Sequence, residues 1–280
     1  MAILSIQSHV AYGYVGNKAA VYPLQSMGYD VCPVNTVQFS NHTGYGKWQG
    51  EIFSREHIRN VIQGIVDIGV AKKCQAVLSG YMGSSEICFE VVATVEKFKA
   101  LNRNLLYLCD PVIGNASCFV KPEVLDFFKT NLHADIITPN QFEAETLSGI
   151  NINRVADLKK VANYFHDLGI ATVVITGLKI PELSPIHLQV FVSEGKQSFA
   201  VSTKEYQFAI SPNGTGDLFS AVFLGNYLMT RDPILALRRT VYFTDLVMLK
   251  TFTAQSRELK ITGISYAITT EQNYPDGVFL

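Results

Sequence analysis

Ser211-Pro212-Asn213-Gly214-Thr215-Gly216-Asp217-Leu218-Phe219-Ser220 reads as a tight, glycine-bearing turn that opens a helix. Behind it, apolar positions recur at three- and four-residue steps, at Leu218, Ala221, Val222, Leu224, Gly225 and Leu228. The first N–H groups of a helix have no partner inside it and carry the positive end of its dipole. Gly214 and Gly216 put no side chain between those N–H groups and an incoming anion. Asp217 adds a carboxylate in the first turn. A cradle for phosphate charge beside a proton acceptor suits phosphoryl transfer to a hydroxyl. The same residues also make an ordinary turn and N-cap, so the rest of the chain has to give them meaning.

Upstream, short apolar runs alternate with amphipathic ones. Strands are predicted over Ala2–Gln7, Asp30–Phe39, Ala76–Leu78, Leu105–Cys109, Ile136-Ile137 and Thr172–Thr176. Helices are predicted over Asn17–Met27, where Pro23 is a kink or lies near an end, and over the segment that Ser54 would cap and Gly69 would stop. Ile58, Val61, Ile62, Ile65 and Val66 form its expected buried stripe. Further helices are expected over Ser85–Leu101 and Arg154–Leu168, the latter burying a stripe that ends at Leu168. Ser40–Gly50 reads as loop. Strand followed by helix, repeated, with strands apolar along their whole length, is the pattern of a parallel sheet covered on both faces. Later, His187–Ser193 and Gln197–Val201 flank Glu194-Gly195-Lys196 as a hairpin, and helices near 216–229 and 233–252 close the chain. No linker or repeat interrupts this order. The expectation is one three-layer α/β/α domain over residues 1–280 with a mostly parallel central sheet.

Composition narrows the function. Of 280 residues, 48% are hydrophobic and 17% charged, enough apolar material for a sizeable core. The net charge of −1 argues against a nucleic-acid surface. No apolar run approaches the roughly 20 residues that span a bilayer. Cys32, Cys74, Cys88, Cys109 and Cys118 show no C-x-x-C pair, and the six histidines show no metal spacing. With no basic leader before the first apolar run, reduced thiols in a cytoplasmic protein are expected.

In open α/β sheets, ligands bind beyond the carboxyl ends of the strands. The residues at those ends are Ser8, Ser79-Gly80-Tyr81, Asp110-Pro111, Thr138-Pro139-Asn140 and Thr176-Gly177. Asp110 and Glu143 therefore fall on the same edge as Asp217.

Five further stretches complete the picture: Ile6-Gln7-Ser8-His9-Val10-Ala11-Tyr12-Gly13, Asn35-Thr36-Val37-Gln38-Phe39-Ser40-Asn41-His42-Thr43, Leu78-Ser79-Gly80-Tyr81-Met82-Gly83, Cys109-Asp110-Pro111-Val112-Ile113-Gly114 and Thr138-Pro139-Asn140-Gln141-Phe142-Glu143. With Asn-Gly-Thr-Gly-Asp late in the chain, they resemble the pyridoxal kinase family of the ribokinase-like superfamily. The resemblance covers essentially the whole chain, and the stretch ending at Thr43 is its most specific part.

The resemblance implies ATP-dependent phosphorylation of the 5′-hydroxymethyl group of pyridoxal, and of pyridoxine and pyridoxamine, with Mg²⁺ and a response to potassium, in a homodimer. Asp217 maps to the catalytic aspartate, with Gly214 and Gly216 as the anion hole. Ser8, Thr43, Gly44 and Tyr81 would line the vitamin site. Asp110, Thr138, Glu143 and Thr176, with Ser202, Thr203, Lys204 and Glu205 and the turn residues Asn213, Gly214, Thr215 and Gly216, would lie near ATP. Asp110 and Glu143 would approach Mg²⁺, through water as much as directly, because Mg²⁺ keeps several waters. The chain departs from some relatives at Thr176, where they carry a lysine near the phosphates, and the loop 115–120 matches no standard version.

Read locally, a carboxylate at a helix N-terminus has a lowered pKa and is a weak ground-state base. Asp217 would then orient the hydroxyl and accept its proton late. A hydroxymethylpyrimidine kinase of the same superfamily is the nearest alternative, but such relatives often resemble Gly-Thr-Gly-Cys where this chain has Gly-Thr-Gly-Asp. A sugar kinase would present more carboxylates near the N-terminus. A non-catalytic pyridoxal phosphate carrier would not need Asp217 and the glycine turn intact.

Overall fold

The computed structural model describes residues 2–266 and 273–280. The elements run β1 (Ala2–Val10), α1 (Asn17–Ser26), β2 (Asp30–Phe39), β3 (Gly50–Ile52), α2 (Arg55–Asp67), β4 (Cys74–Ser79), α3 (Ser85–Leu101) and β5 (Leu106–Cys109). A two-residue hairpin follows, β6 (Gly114–Asn115) and β7 (Ser117–Cys118), then α4 (Pro122–Asn131), β8 (Ile136–Ile137), α5 (Gln141–Ser148), α6 (Val155–Asp167) and β9 (Thr172–Leu178). The chain continues through β10 (Leu188–Glu194), β11 (Gln197–Thr203), α7 (Thr215–Thr230), α8 (Pro233–Thr253) and β12 (Gly277–Phe279).

Ten strands make one sheet in the order β12-β11-β10-β9-β8-β5-β4-β1-β2-β3. From β9 to β2 all neighbours are parallel. The marginal strands β3, β10, β11 and β12 pair antiparallel. Successive side chains of a strand point to opposite faces, and here both faces are covered. Val77, Ile137, Val173 and Ile175 pack in one core with Ile62, Phe98, Phe128 and Phe165 of the helices on that side. Leu78, Leu108, Ile136 and Val174 pack in the other with Leu24, Phe223 and Phe243. This is why the central strands β4, β5, β8 and β9 are largely apolar, and it makes the fold a three-layer α/β/α sandwich.

Local signals start the helices as expected. The Ser54 hydroxyl accepts from the His57 N–H at 3.1 Å, and Asp232 accepts from Ile234 and Leu235 ahead of Pro233 in the first turn of α8. Such a cap is worth about 1 kcal/mol. Pro23 lies inside α1. The range Ser85–Leu101 is observed as predicted.

Other expectations need correction. The first strand runs on to Val10, because its ladder with β2 resumes after a register shift between Gln7 and His9. Val61 and Leu168 are exposed, at 39% and 44%. Val61 lies one step, about 100° of helix rotation, from the buried Ile62, and Leu168 lies past the last residue of α6, where it caps the helix. The loop 40–50 contains a 3-10 turn, Thr43–Tyr45. Not anticipated were the helices α4 and α5, the hairpin strands β6 and β7, and the edge strands β3 and β12.

Candidate active site

Gly214 caps α7 with φ +89°, a left-handed conformation that favours glycine. Its Cα also presses on the loop after β1, since a Cβ built there would lie 1.9 Å from the Tyr14 carbonyl oxygen. Glycine is required at 214 on both counts. Gly216 is different. It has no positive φ, and the nearest atom to a Cβ built there is Asp110 Oδ2 at 3.7 Å. Its lack of a side chain keeps open the space between the helix start and Asp110. The Thr215 hydroxyl points away, to Met248 Sδ on α8 at 3.7 Å.

Asp217 is partly buried in the first turn of α7, and its carboxylate accepts from the Gly16 N–H. Burial raises its pKa to about 6, against the lowering effect of that hydrogen bond. Desolvation outweighs the Gly16 N–H, so this carboxyl lies above the ordinary carboxylate value rather than below it. Gly16, at φ +55°, packs directly on Ser8, and a Cβ there would lie 2.4 Å from Ser8 Oγ. Ser8, Gly16 and Asp217 are thus contiguous.

On the other side of Gly216 stand two more buried carboxylates. Ser220 donates to Asp110 Oδ2 at 3.0 Å, so in the 2.8 Å Thr138–Ser220 contact it is Thr138 that donates. Glu143 accepts from the Ile113 N–H at 2.8 Å, the Gly114 N–H at 3.3 Å and the Asn140 N–H at 2.9 Å, the last completing a capping box for α5. Burial, then the charges of Glu143 and Asp217, hold Asp110 well above the usual carboxylate range. Burial pushes Glu143 to about 7 despite its three N–H partners.

These carboxylates suit a hard divalent cation, whose charge would favour their ionised forms. Among the described residues no three His, Cys, Asp or Glu side chains form a ready ligand set.

The remaining predicted residues divide between two flanks. Thr176 pairs with Asn140 in an isolated parallel bridge, and its N–H donates to the Pro139 carbonyl at 2.9 Å. Leu188 pairs with Thr203, and Gln189 with Leu178, which brings Ser202, Thr203, Lys204 and Glu205 to the same edge as Thr176. Glu205 is ion-paired to Lys179 at 2.8 Å. Toward the N-terminal part, Thr43 and Gly44 are exposed on their 3-10 turn, and a Cβ at Gly44 would lie 3.5 Å from Asn213 Nδ2. Tyr81 follows β4, half-buried, with its carbonyl accepting from Thr36 Oγ1 at 2.8 Å. Burial raises its phenol pKa.

Four residues at this site were not anticipated. Tyr14 and Gly16 had a visible signal in the glycines of Tyr12-Gly13-Tyr14-Val15-Gly16 close after Ser8. Ser220 was legible one turn after Asp217. Glu258 had no local signal: it accepts from the Tyr14 N–H at 3.2 Å and from the Tyr45 hydroxyl at 2.7 Å.

Residues 31–261 match the family model described as phosphomethylpyrimidine kinase. A pyridoxal kinase PdxY of Corynebacterium diphtheriae is 42% identical over 272 residues, covering 96% of this chain and 95% of that protein. A pyridoxal kinase PdxY of Aliivibrio fischeri is 41% identical, covering 92% of each. Among solved structures, pyridoxal kinase from Leishmania donovani in complex with ADP and pyridoxine superposes with a TM-score of 0.91 at 30% identity, covering 100% of this chain and 99% of that one. Plasmodium falciparum PdxK with AMP-PNP and PL superposes at 0.85 with 25% identity, covering 99% of both.

Proposed function

The chain belongs to the pyridoxal kinase family of the ribokinase-like superfamily, and from that premise we propose that it transfers the γ-phosphoryl group of ATP to the 5′-hydroxymethyl oxygen of pyridoxal, pyridoxine and pyridoxamine. The observation that carries the reading is the seating of Asp217. Its carboxylate accepts from the Gly16 N–H, Gly16 itself packs on Ser8, and the bare Gly216 faces Asp110 on the other side. A pyridine-sized acceptor approaching from Ser8, Thr43, Gly44 and Tyr81 would meet a nucleotide approaching from Asp110, Thr138, Glu143, Thr176 and the segment 202–205 across the turn.

In this mechanism the first N–H groups of α7 receive the negative charge of the migrating phosphoryl group. Removing one such donor elsewhere costs about 2.7–4 kcal/mol of transition-state stabilisation. Asp217 holds the acceptor hydroxyl in line and takes its proton as the O–P bond forms. A pKa of about 6 makes it ionised yet basic near neutrality, which is the useful range for a general base. Mg²⁺ supplies positive charge at the phosphates when bound. Thr138 and Ser220 orient Asp110, and the backbone N–H groups of Ile113, Gly114 and Asn140 orient Glu143, toward that charge.

The proposal extends to residues 1–280 acting as one kinase domain, to a homodimer, to a potassium response and to the cytoplasm. The match to a phosphomethylpyrimidine kinase model favours a second reading, a hydroxymethylpyrimidine kinase. A coupled assay of ATP consumption with pyridoxal, pyridoxine, pyridoxamine and hydroxymethylpyrimidine in turn, with Mg²⁺ and with or without potassium, separates them. Turnover on the three vitamers supports the proposal. Turnover on hydroxymethylpyrimidine alone replaces it, and tight pyridoxal phosphate binding without ATP use makes the protein a carrier.

A further inference from the structure

The segment after α8 reaches across the molecule to the site. Glu258 accepts from the Tyr14 backbone N–H through one carboxylate oxygen and from the Tyr45 hydroxyl through the other. Its carboxylate also fills the space beside Gly13, where a Cβ would lie 2.3 Å from Oε2. Arg257 lies 3.6 Å over the Tyr45 ring and donates to the Gly44 carbonyl at 2.6 Å. The two held segments are the ones that meet the catalytic turn. Tyr14 O abuts Gly214, the Gly16 N–H holds Asp217, and Gly44 lies beside Asn213. Contacts therefore close a ring: 257–258 to 13–16, to 213–217, to 43–45, and back.

We propose that Glu258, with Arg257 as its stacking neighbour, is a positioning residue that holds loop 13–16 and turn 43–45 in register with Asp217. This deepens the phosphoryl-transfer reading above and rests on it. The physical case is one of preorganisation. Loop 13–16 meets the turn through backbone groups, the Tyr14 carbonyl beside Gly214 and the Gly16 N–H on Asp217, so its exact position sets where those groups fall. A carboxylate accepting two hydrogen bonds from two separate loops removes the freedom of one relative to the other. Displacement of a reacting group by about 1 Å can cost on the order of 10²-fold in rate. The clasp would act on the acceptor side, because among the described residues the side-chain hydrogen bonds and ring contact of Glu258 and Arg257 go to Tyr14, Gly44 and Tyr45 and not to Asp110, Glu143 or segment 202–205.

The test uses the whole chain with Tyr45→Phe, which deletes one hydrogen bond, and with Glu258→Gln and Glu258→Ala. We expect kcat with pyridoxal to fall about 10- to 100-fold in Glu258→Ala and about 3- to 10-fold in Tyr45→Phe. Glu258→Gln, which keeps one acceptor oxygen, should recover part of the loss. ADP affinity by calorimetry should stay within about twofold, and the Tm of Tyr45→Phe within about 2 °C. Amide hydrogen exchange at Tyr14 and Gly16 should speed up in Glu258→Ala. The proposal is overturned if exchange at those amides is unchanged. It is equally overturned if kcat survives in Glu258→Ala, or if ADP binding and activity fall together in Tyr45→Phe. A wild-type chain inert on every vitamer would defeat the functional reading instead, and the exchange data would still decide the clasp.

Discussion

Replacing Asp217 by Asn should make the protein more stable and nearly inactive. The carboxylate rises from 3.8 to about 6 on folding, so its ionised form is disfavoured in the folded state. A folded pKa above the unfolded one contributes nothing unfavourable below about pH 4, and a growing penalty as pH climbs through about 6. Two units correspond to about 3 kcal/mol at pH 8. The value of about 6 is already net of the Gly16 bond, and Asn keeps an oxygen for that N–H but gives up the charge–dipole attraction at the helix start, about 1 kcal/mol. The net gain at pH 8 is about 2 kcal/mol, or about 5 °C in Tm for a chain of this size. At pH 5 the carboxylate penalty is about half as large, so the advantage should shrink. Calorimetry of both proteins at pH 8 and pH 5, beside kcat with pyridoxal and ATP, makes the comparison. If Asp217→Asn is destabilised at pH 8, or gains equally at both pH values, burial is not what raises this carboxylate. If its kcat is near normal, Asp217 is not the base.

Gly214→Ala should lower stability by about 2–4 kcal/mol and abolish turnover, because the left-handed backbone and the Tyr14 carbonyl both exclude a methyl group. Gly216→Ala should fold normally by the same thermal melt, its nearest neighbour being 3.7 Å away, yet lose turnover by obstructing the approach to the helix start. Ser220→Ala should weaken Mg·ATP affinity about tenfold with pyridoxal affinity unchanged, read by calorimetry, since Asp110 loses its donor. The value of kcat/KM should fall as pH drops below about 6, where Asp217 takes up a proton, and a rate profile flat down to pH 5 would contradict this.

Much of the architecture was legible because it depends on local periodicity. The Ser85–Leu101 helix repeats its apolar residues at helical spacing and carries Ser84 as its cap, so its ends match the prediction. The missed elements are those whose signal is weak or comes from elsewhere. Gly50–Ile52 and Gly277–Phe279 are three-residue, exposed strands that pair on the outer edges of β2 and β11. Helix α4 was readable from Pro122 and the spacing of Val124, Phe127 and Phe128. The site divides in the same way. The catalytic turn, the strand-end residues and the family could be read along the chain, because glycine, aspartate and their spacing are local facts.

What the chain by itself determined was the order of the main strands and helices and the residues that gather at one sheet edge. Only the tertiary structure decided the ionisation of Asp217 and the clasp on loop 13–16. The reason is physical. Periodicity and capping act over a few residues, whereas the desolvation of Asp217 and its bond from the Gly16 N–H, like the reach of Glu258 to Tyr14 and Tyr45, depend on groups that folding alone makes neighbours.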